Sequence, residues 1–373
     1  MRILDRLSIF RRLDSILLLA VFLLVAFGGA VLYSIGTSGE TVDLSRFTTQ
    51  MIAVGLGCII VVILTLLDYR LFRNYGVVLY VAGLVLLGAV LVFGTTIRGT
   101  TGWFFIGPVQ FQPVELVKPM MILALAAYFT NHMNTHDSWR TIAGSAAMAL
   151  STVTFVLLQP DLGSSLVLLA IWLGMLFATR IRRSQIVVIL VALVGVAVLG
   201  FLFFLKPYQR DRILVFVDRD NPKYALEEGY NIIQSIVAVG SGQWTGRGLG
   251  LGPQSHLNFL PEQENDFIFA VIAEELGFVG AMVVLGLFLI LQLRMVRIAK
   301  RAQDDFGLFV AWGIWAMFAV QVVINIGMNV GLAPVTGIPL PFLSAGGSAL
   351  LANMASLGLL ESIIARERKL TFF

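Results

Sequence analysis

The residues best equipped for chemistry crowd between Phe259 and Gly280, FLPEQENDFIFAVIAEELGFVG, where Glu262, Gln263, Glu264 and Asn265 lead into Asp266 and an apolar run begins at once. Carboxylates placed this way can take up a proton or hold a cation. The plainer expectation is that Asp266 caps a helix, because an acid at a helix N-terminus meets unpaired N–H groups and the positive end of the dipole. Capping alone does not call for three acids within five residues. Glu274 and Glu275 follow about 12 Å deeper along the same predicted helix, at roughly 1.5 Å per residue. Acids at that depth in an apolar run are costly unless paired or hydrated. The stretch therefore reads as one wall of a polar cavity entered at Asp266.

Other polar groups sit in apolar surroundings. Glu115 and Lys118 are three residues apart on one helical face and can pair. The functional alternative is that Lys118 meets an anionic group while Glu115 orients it. Asp161, in the turn Pro160-Asp161-Leu162-Gly163, suits the N-cap of the following run. Gln321, Asn325 and Asn329 recur every four residues as a polar stripe, either bonding to neighbouring helices or facing the same cavity as Glu274. Pro334, Pro339 and Pro341 exclude regular helix before Ser344-Ala-Gly-Gly-Ser348, whose small residues allow close approach of backbone or ligand. His132 and His136 have the i, i+4 spacing of metal ligands but no third ligand beside them, which favours a surface role. The glycine-rich segment 240–252 lacks the GK[ST] of a nucleotide loop and reads as a tightly turning loop at the cavity mouth, with close approach to a lipid phosphate as the lesser alternative.

The elements that position these groups are membrane spans. Of 373 residues, 58% are hydrophobic and 13% charged, and the mean hydropathy is +0.89, which excludes an ordinary soluble domain. The single cysteine, Cys58, excludes an intramolecular disulfide. Ten apolar runs are predicted to span, at about 15–35, 47–67, 75–94, 113–130, 141–158, 164–179, 185–205, 267–293, 307–331 and 344–365. The fifth and sixth are short and could instead form one re-entrant hairpin about the 159–163 break. The chain thus reads as an all-α integral membrane protein of one polytopic domain, residues 1–373. Residues 1–14 form an interfacial N-terminal helix with Ile3, Leu7 and Phe10 on one face. The first run lacks a small-residue cleavage site and is retained. Basic residues cluster on the side of the N-terminus, in groups such as Arg70 and Arg73, Arg182 and Arg183, Arg294 to Arg301, and Arg366 to Lys369. By the positive-inside rule both termini are cytoplasmic, and the long connection 206–265, with Asp266, is extracytoplasmic. That connection is mixed in charge, so the net charge of +4 does not point to nucleic acid.

The segments FQPVELVKP (111–119), QPDLGSS (159–165), YQRDRI (208–213), GYNIIQSIVAVGSG (229–242), GRGLGLGPQSHLNFLPEQENDFIFAVIAEELG (246–277) and PVTGIPLPFLSAGGSALL (334–351) resemble the SEDS family (shape, elongation, division and sporulation), more its RodA branch than its FtsW branch. The resemblance covers most of the chain. It implies a peptidoglycan glycosyltransferase of the bacterial cytoplasmic membrane that polymerises lipid II on the outer face, for cell elongation and shape. It also implies partners: a class B penicillin-binding protein as transpeptidase, and other elongation-complex proteins. The family's essential acid falls on Asp266, its intramembrane pair on Glu115 and Lys118, and its outer-turn acid on Asp161. Two positions depart from the family pattern. Glu264-Asn265 stand where His-Thr often precedes the essential acid, and Gly102 stands before Trp103 where an Arg is usual, leaving only Arg98 nearby for a phosphate.

Joining lipid-linked disaccharides needs a base for the attacking hydroxyl and positive charge for the departing diphosphate. Asp266 suits the first demand as general base; it is equally a candidate ligand for a divalent cation, magnesium or manganese. Lys118, Arg210 and Arg212 suit the second, with Glu115, Asp161, Glu274, Asn325 and Ser344 as supporting or substrate-binding groups. Two rivals remain: a lipid II flippase, for which buried charges would serve but no internal repeat is found, and a non-catalytic scaffold that activates its penicillin-binding partner, which leaves the outer acids without a task.

Overall fold

In hydrocarbon every backbone group must find its partner within the chain, so the apolar runs fold as helices. A computed structural model describes residues 12–38, 42–97, 99–107, 109–135, 137–179, 181–218, 228–257 and 259–367. The helices of the first half are α1 Ser15–Ser38, α2 Ser45–Leu66, the single turn α3 Leu71–Asn74, α4 Gly76–Phe93, α5 Pro113–Asn131, α6 Trp139–Leu158, α7 Leu162–Ala178 and α8 Arg183–Leu199. After a π-helical turn at Gly200–Phe204 come α9 Pro207–Val217, α10 Glu228–Ser241 and α11 Pro253–His256, then the long α12 Ile268–Arg301, α13 Asp305–Asn329 and α14 Gly347–Ala365. Among the described residues nine helices are long and apolar enough to cross a membrane, and α7 is a shorter apolar tenth. The fifth and sixth predicted spans are two separate helices, α6 and α7, packed on each other.

The centre of the bundle is α5, α13 and α14, the most enclosed of the spanning helices, while α8 lies at the periphery. Gly358 lets α14 press onto α2: a Cβ there would meet the Val61 backbone and Leu64. Side chains such as Val77, Val85, Phe93 and Val191 stay exposed on the outside, as a lipid-facing surface requires.

Three features depart from the sequence-based expectation. Residues 95–111 form a small antiparallel sheet, order β1-β2-β3 (Thr95–Ile97, Thr100–Ile106, Val109–Phe111), built from Thr, Trp, Phe and Ile between glycines. The long connection carries the helices α9 to α11 rather than an open loop. Finally, α12 is broken at Gly277, whose φ of 68° and ψ of −166° are not helical. There the glycine-rich segment inserts. Arg247 and Gly248 donate to the carbonyls of Glu274 and Glu275 at 3.0 and 2.9 Å, and Phe278 and Val279 donate to those of Gln243 and Trp244 at 2.8 and 3.2 Å. Only glycine fits at 277, because the φ is left-handed and a Cβ would strike the Gly246 amide. Most of the predicted interfacial segment 1–14, together with Arg98 and His136, lies outside the described residues.

Candidate functional site

Asp266 stands two residues ahead of α12, and the cap position belongs to Phe267, with no side-chain capping bond. The expected capping role is therefore corrected: the helix begins later than the apolar run implies, and the acid sits in a tight turn. That turn opens at Glu262, a non-glycine residue with φ of 53°, a conformation that persists only where its surroundings impose it. The amides of Asn265 and Asp266 donate to the Glu262 carbonyl at 3.0 and 3.1 Å, Asn265 Nδ2 donates to Glu262 Oε2 at 2.7 Å, and Arg46 Nε lies 3.7 Å from Glu264 Oε1.

Side chains from three other elements hold this turn. Asn325 and Asn329, both on α13 and fully buried, each donate Nδ2 to the Asp266 carbonyl at 3.0 Å. Asn325 also donates to the Ile338 carbonyl at 2.8 Å, and Asn329 Oδ1 accepts the Ala270 amide at 3.0 Å. Ser344 lies in the loop before α14, which begins at Gly347 rather than 344. Its hydroxyl donates to the Asn265 carbonyl at 2.5 Å and accepts the Leu340 amide at 2.8 Å. Gln50 on α2 donates to the Ser344 carbonyl and accepts the Gly346 amide, both at 3.1 Å. Irregular backbone at the end of a span leaves carbonyls and amides that only such side chains can satisfy. Of the polar stripe, Asn325 and Asn329 are spent here, while Gln321 is buried elsewhere on the same face.

A second group faces this one across the proline-rich loop. Lys118 Nζ donates to Glu115 Oε1 at 2.6 Å, with both side chains almost wholly buried. Asp161 caps α7: its Oδ1 accepts the Ser164 amide at 2.9 Å and its Oδ2 the Ser164 hydroxyl at 2.7 Å. Burial pushes the Asp161 carboxyl above its usual range, Ser164 and the charge of Lys118 pull it back, and Glu115 raises it, so the three ionisable groups act on one another. On α9, Gln209 reaches the Pro160 carbonyl at 3.3 Å, and Arg210 donates to the Leu202 carbonyl at 2.8 Å, pinning α9 to the end of the seventh span. Arg212 is half-buried on the same helix.

The loop 333–342 joins the two groups. Gly163 packs so closely on it that a Cβ would strike the Thr336 carbonyl, and a Cβ on Gly337, whose φ is 71°, would lie 3.7 Å from Asp266 Oδ2. The Ser348 hydroxyl accepts the Gln112 amide at 3.1 Å, fixing the start of α5 beside that of α14. Glu115, Lys118 and Asp161 thus form one group, next to the Gly163 contact with the loop, and Asp266, Asn325 and Ser344 a second, at residues 337–340 of the same loop.

Glu274 departs from the cavity wall expected of it. Its carboxylate accepts the Gln254 and Ser255 amides at 2.7 and 3.1 Å, at the start of α11. Glu275 Oε1 accepts the Ser34 hydroxyl at 2.8 Å and the Gly250 amide at 3.0 Å. A buried carboxylate is best tolerated where N–H groups converge on it, and the inserted glycine-rich loop supplies them. Sequence reasoning missed Gln50, Gly337 and the clamping role of Asn329. A lone glutamine in the second apolar run was the signal for Gln50. No group of three or more His, Cys, Asp or Glu that could hold a metal occurs among the described residues, and His132 Nδ1 is engaged with the Tyr128 carbonyl at 2.9 Å.

The family described as "Cell cycle protein", FTSW_RODA_SPOVE, matches residues 14–369. The chain is 36% identical to the peptidoglycan glycosyltransferase MrdB of Escherichia coli K12 over 359 residues, covering 96% of this chain and 95% of that one. It is 32% identical to the peptidoglycan glycosyltransferase RodA of Treponema pallidum, covering 95% and 98%. Among solved structures, it is similar to a chain in "Structural coordination of polymerization and crosslinking by a peptidoglycan synthase complex", with TM-score 0.82, 33% identity and coverage of 94% and 97%. It is also similar to the rod shape determining protein RodA of Thermus thermophilus, with TM-score 0.71, 30% identity and coverage of 96% and 98%.

Proposed function

The chain belongs to the FTSW_RODA_SPOVE family and is a multi-pass peptidoglycan glycosyltransferase of the cytoplasmic membrane, and we propose that Asp266 carries its chemistry. The observation behind this assignment is the clamp on the Asp266 carbonyl by Asn325 and Asn329. It fixes the backbone of an acid that the helix does not use as its cap. In this reading the substrate is lipid II, and Asp266 takes the proton from the acceptor sugar's hydroxyl as that oxygen bonds to the anomeric carbon of the donor. The bond from that carbon to the lipid diphosphate breaks, and the diphosphate leaves with the electron pair. Lys118, beside Asp161, and the arginines of α9 would stabilise the departing charge.

Asp266 as sole protein ligand of a divalent cation is the second reading, since Glu262 and Glu264 in the same turn are engaged by Asn265 and Arg46. Magnesium is commonly held by one or two carboxylates plus substrate phosphates, which a single well-placed aspartate satisfies. When bound, the cation would neutralise the diphosphate.

A class B penicillin-binding protein is the proposed partner, as is assembly with other elongation-complex proteins. The support is the similarity to a chain of a complex that coordinates polymerization and crosslinking. Purified protein incubated with lipid II and magnesium should yield polymer resolved on a gel, and Asp266→Asn should yield none. Movement of lipid II across vesicles without polymer would mean a flippase; glycan made only by the partner, equally well with either version, would mean a scaffold. The proposed orientation is tested on a Cys58→Ser background: cysteine at the exposed Thr245 should react with an impermeant thiol reagent from outside. Reaction only after lysis would overturn the topology and the outer site with it.

A further inference from the structure

At the opposite end of α5 from Glu115 lies a cavity of about 610 Å³ between the start of α4, the end of α5 and α6. Its rim is polar, with Arg73, Asn131 and His132, and its floor is apolar, with Val77, Ala124 and Met148. Arg73 Nη2 donates to Asn131 Oδ1 at 3.1 Å, and Arg73 makes no ion pair among the described residues. The Nδ1 of His132 donates to the Tyr128 carbonyl at 2.9 Å, and its ring stacks on Tyr128 with centroids 4.3 Å apart, so the imidazole is a fixed wall of the rim. No acidic side chain among the described residues lines the cavity.

The polar rim stands where the helices meet the edge of the membrane. Ala124 is seven residues before Asn131, hence about 10 Å deeper at roughly 1.5 Å per residue. Val77 is 75% exposed, so the apolar floor opens sideways to lipid. A cation at the edge of a bilayer above an apolar slot matches the two halves of a phospholipid, and basic pockets between spans on the cytoplasmic side attract anionic headgroups. Soluble phosphate would leave the floor uncovered.

We propose that this cavity binds one anionic phospholipid of the leaflet on the N-terminal side, its phosphate at Arg73 and an acyl chain along Val77, Ala124 and Met148. The site is separate from the catalytic one, because Glu115 and Asn131 are sixteen residues apart on α5, or about 24 Å.

The test is native mass spectrometry of the full chain in detergent, titrated with phosphatidylglycerol and with phosphatidylcholine of the same acyl chains. Wild type should bind phosphatidylglycerol more tightly. Arg73→Ala should weaken that binding about fivefold, the effect of one basic residue at a membrane surface, and weaken phosphatidylcholine, whose choline cation offsets its phosphate, clearly less. Arg73→Gln, which can still reach Asn131, should behave alike and so separates lost charge from lost structure. Val77→Trp, from an exposed position, should fill the slot and weaken both lipids. Arg297→Ala removes the same charge from the same side, away from the cavity, and should change nothing. Equal losses in Arg73→Ala and Arg297→Ala, full lipid binding by Val77→Trp, or displacement of the lipid by equimolar glycerol phosphate would each overturn the proposal.

Discussion

At the end of the bundle that carries Asp266, the polar side chains that hold the irregular turns bond the backbone; at the end where residues 14 and 366 lie, such bonds, among them those of Arg366 to the Thr65, Leu66 and Ser362 carbonyls, stand beside ion pairs that join one helix end to another. Asn325, Asn329, Ser344, Gln50, Glu274 and Glu275 all bond main-chain amides or carbonyls of irregular segments. At the other end Arg294 grips Asp14 at 2.5 Å, and the Asp14 amide donates to Glu361 Oε2 at 3.0 Å. Nearby, Arg70 and the Tyr69 hydroxyl meet Asp304 Oδ2, each at 2.7 Å. At this end the ion pairs tie one helix terminus to another, in addition to the side-chain bonds that satisfy the open amides and carbonyls of those termini. A region made of turns and interrupted helices needs a donor or acceptor for each backbone group it removes from regular structure. The difference predicts that variants at the first end change rate and variants at the second change stability.

The largest effect belongs to Asp266→Asn. Removing a general base costs about 10²- to 10⁴-fold in rate, and removing a cation ligand should cost no less, so polymer on a gel should fall at least about 100-fold. The fold should survive the change, because the bonds of Asn325 and Asn329 to the carbonyl of residue 266 do not depend on its side-chain charge. A variant that unfolds instead of losing rate would break the contrast.

The Glu115–Lys118 pair is next, and it tests the contrast where it is weakest, since it is an ion pair at the end that carries Asp266. Glu115→Ala strands a buried ammonium and should cost about 3–5 kcal/mol in unfolding experiments. Glu115→Leu with Lys118→Met should recover most of that stability, as apolar replacements of buried pairs do. If polymerisation returns with it, the pair only supports the fold; the expected outcome is a stable protein that makes no glycan.

Arg294→Met should lower stability by about 2–3 kcal/mol, because it leaves Asp14 buried and unpaired, with Asp14 2% and Arg294 19% exposed in their side chains. Polymer formed per folded molecule should match wild type. A rate loss beyond the folded fraction would show that the two ends are coupled.

The reach of sequence reasoning follows the same division. Spans, the acid turn and the polar stripe were legible, since each is a local pattern: apolar length, three acids in five residues, and a repeat of four along α13. What Glu274 and Glu275 do was not. Their partners are amides in a loop about twenty residues away, brought in by a helix break at Gly277 that looks like any other glycine in an apolar run. The sheet at 95–111 was readable from its Thr- and Phe-rich segment between glycines but is short enough to pass for a connection. The ion pair of Asp14 with Arg294 joins residues 280 apart, a distance over which one sequence carries no register.

The smallest effect is also the most specific, because two aspartates, Asp304 at one end and Asp161 at the other, shift in opposite directions. Burial pushes the Asp304 carboxyl up, but the Gly307 amide, the Tyr69 hydroxyl and Arg70 outweigh it and hold it below the usual carboxylate range. A depressed acid stabilises the fold fully above its unfolded pKa, and that contribution is lost as pH falls through the folded value. Asp161 is raised, chiefly by burial, so its folded form favours the proton and its contribution declines as pH rises from the unfolded value through the folded one. Melting curves between about pH 3 and about pH 7, straddling the ordinary aspartate value, should therefore respond oppositely to two conservative changes. Asp304→Asn should remove part of the destabilisation at the acid end, by about 0.2–1 kcal/mol for a partly exposed pair. Asp161→Asn should remove part of the decline toward neutral pH. The same sign of change in both variants would mean that Asp161, like Asp304, is held ionised by its partners, and the contrast between the two ends would then rest on geometry alone.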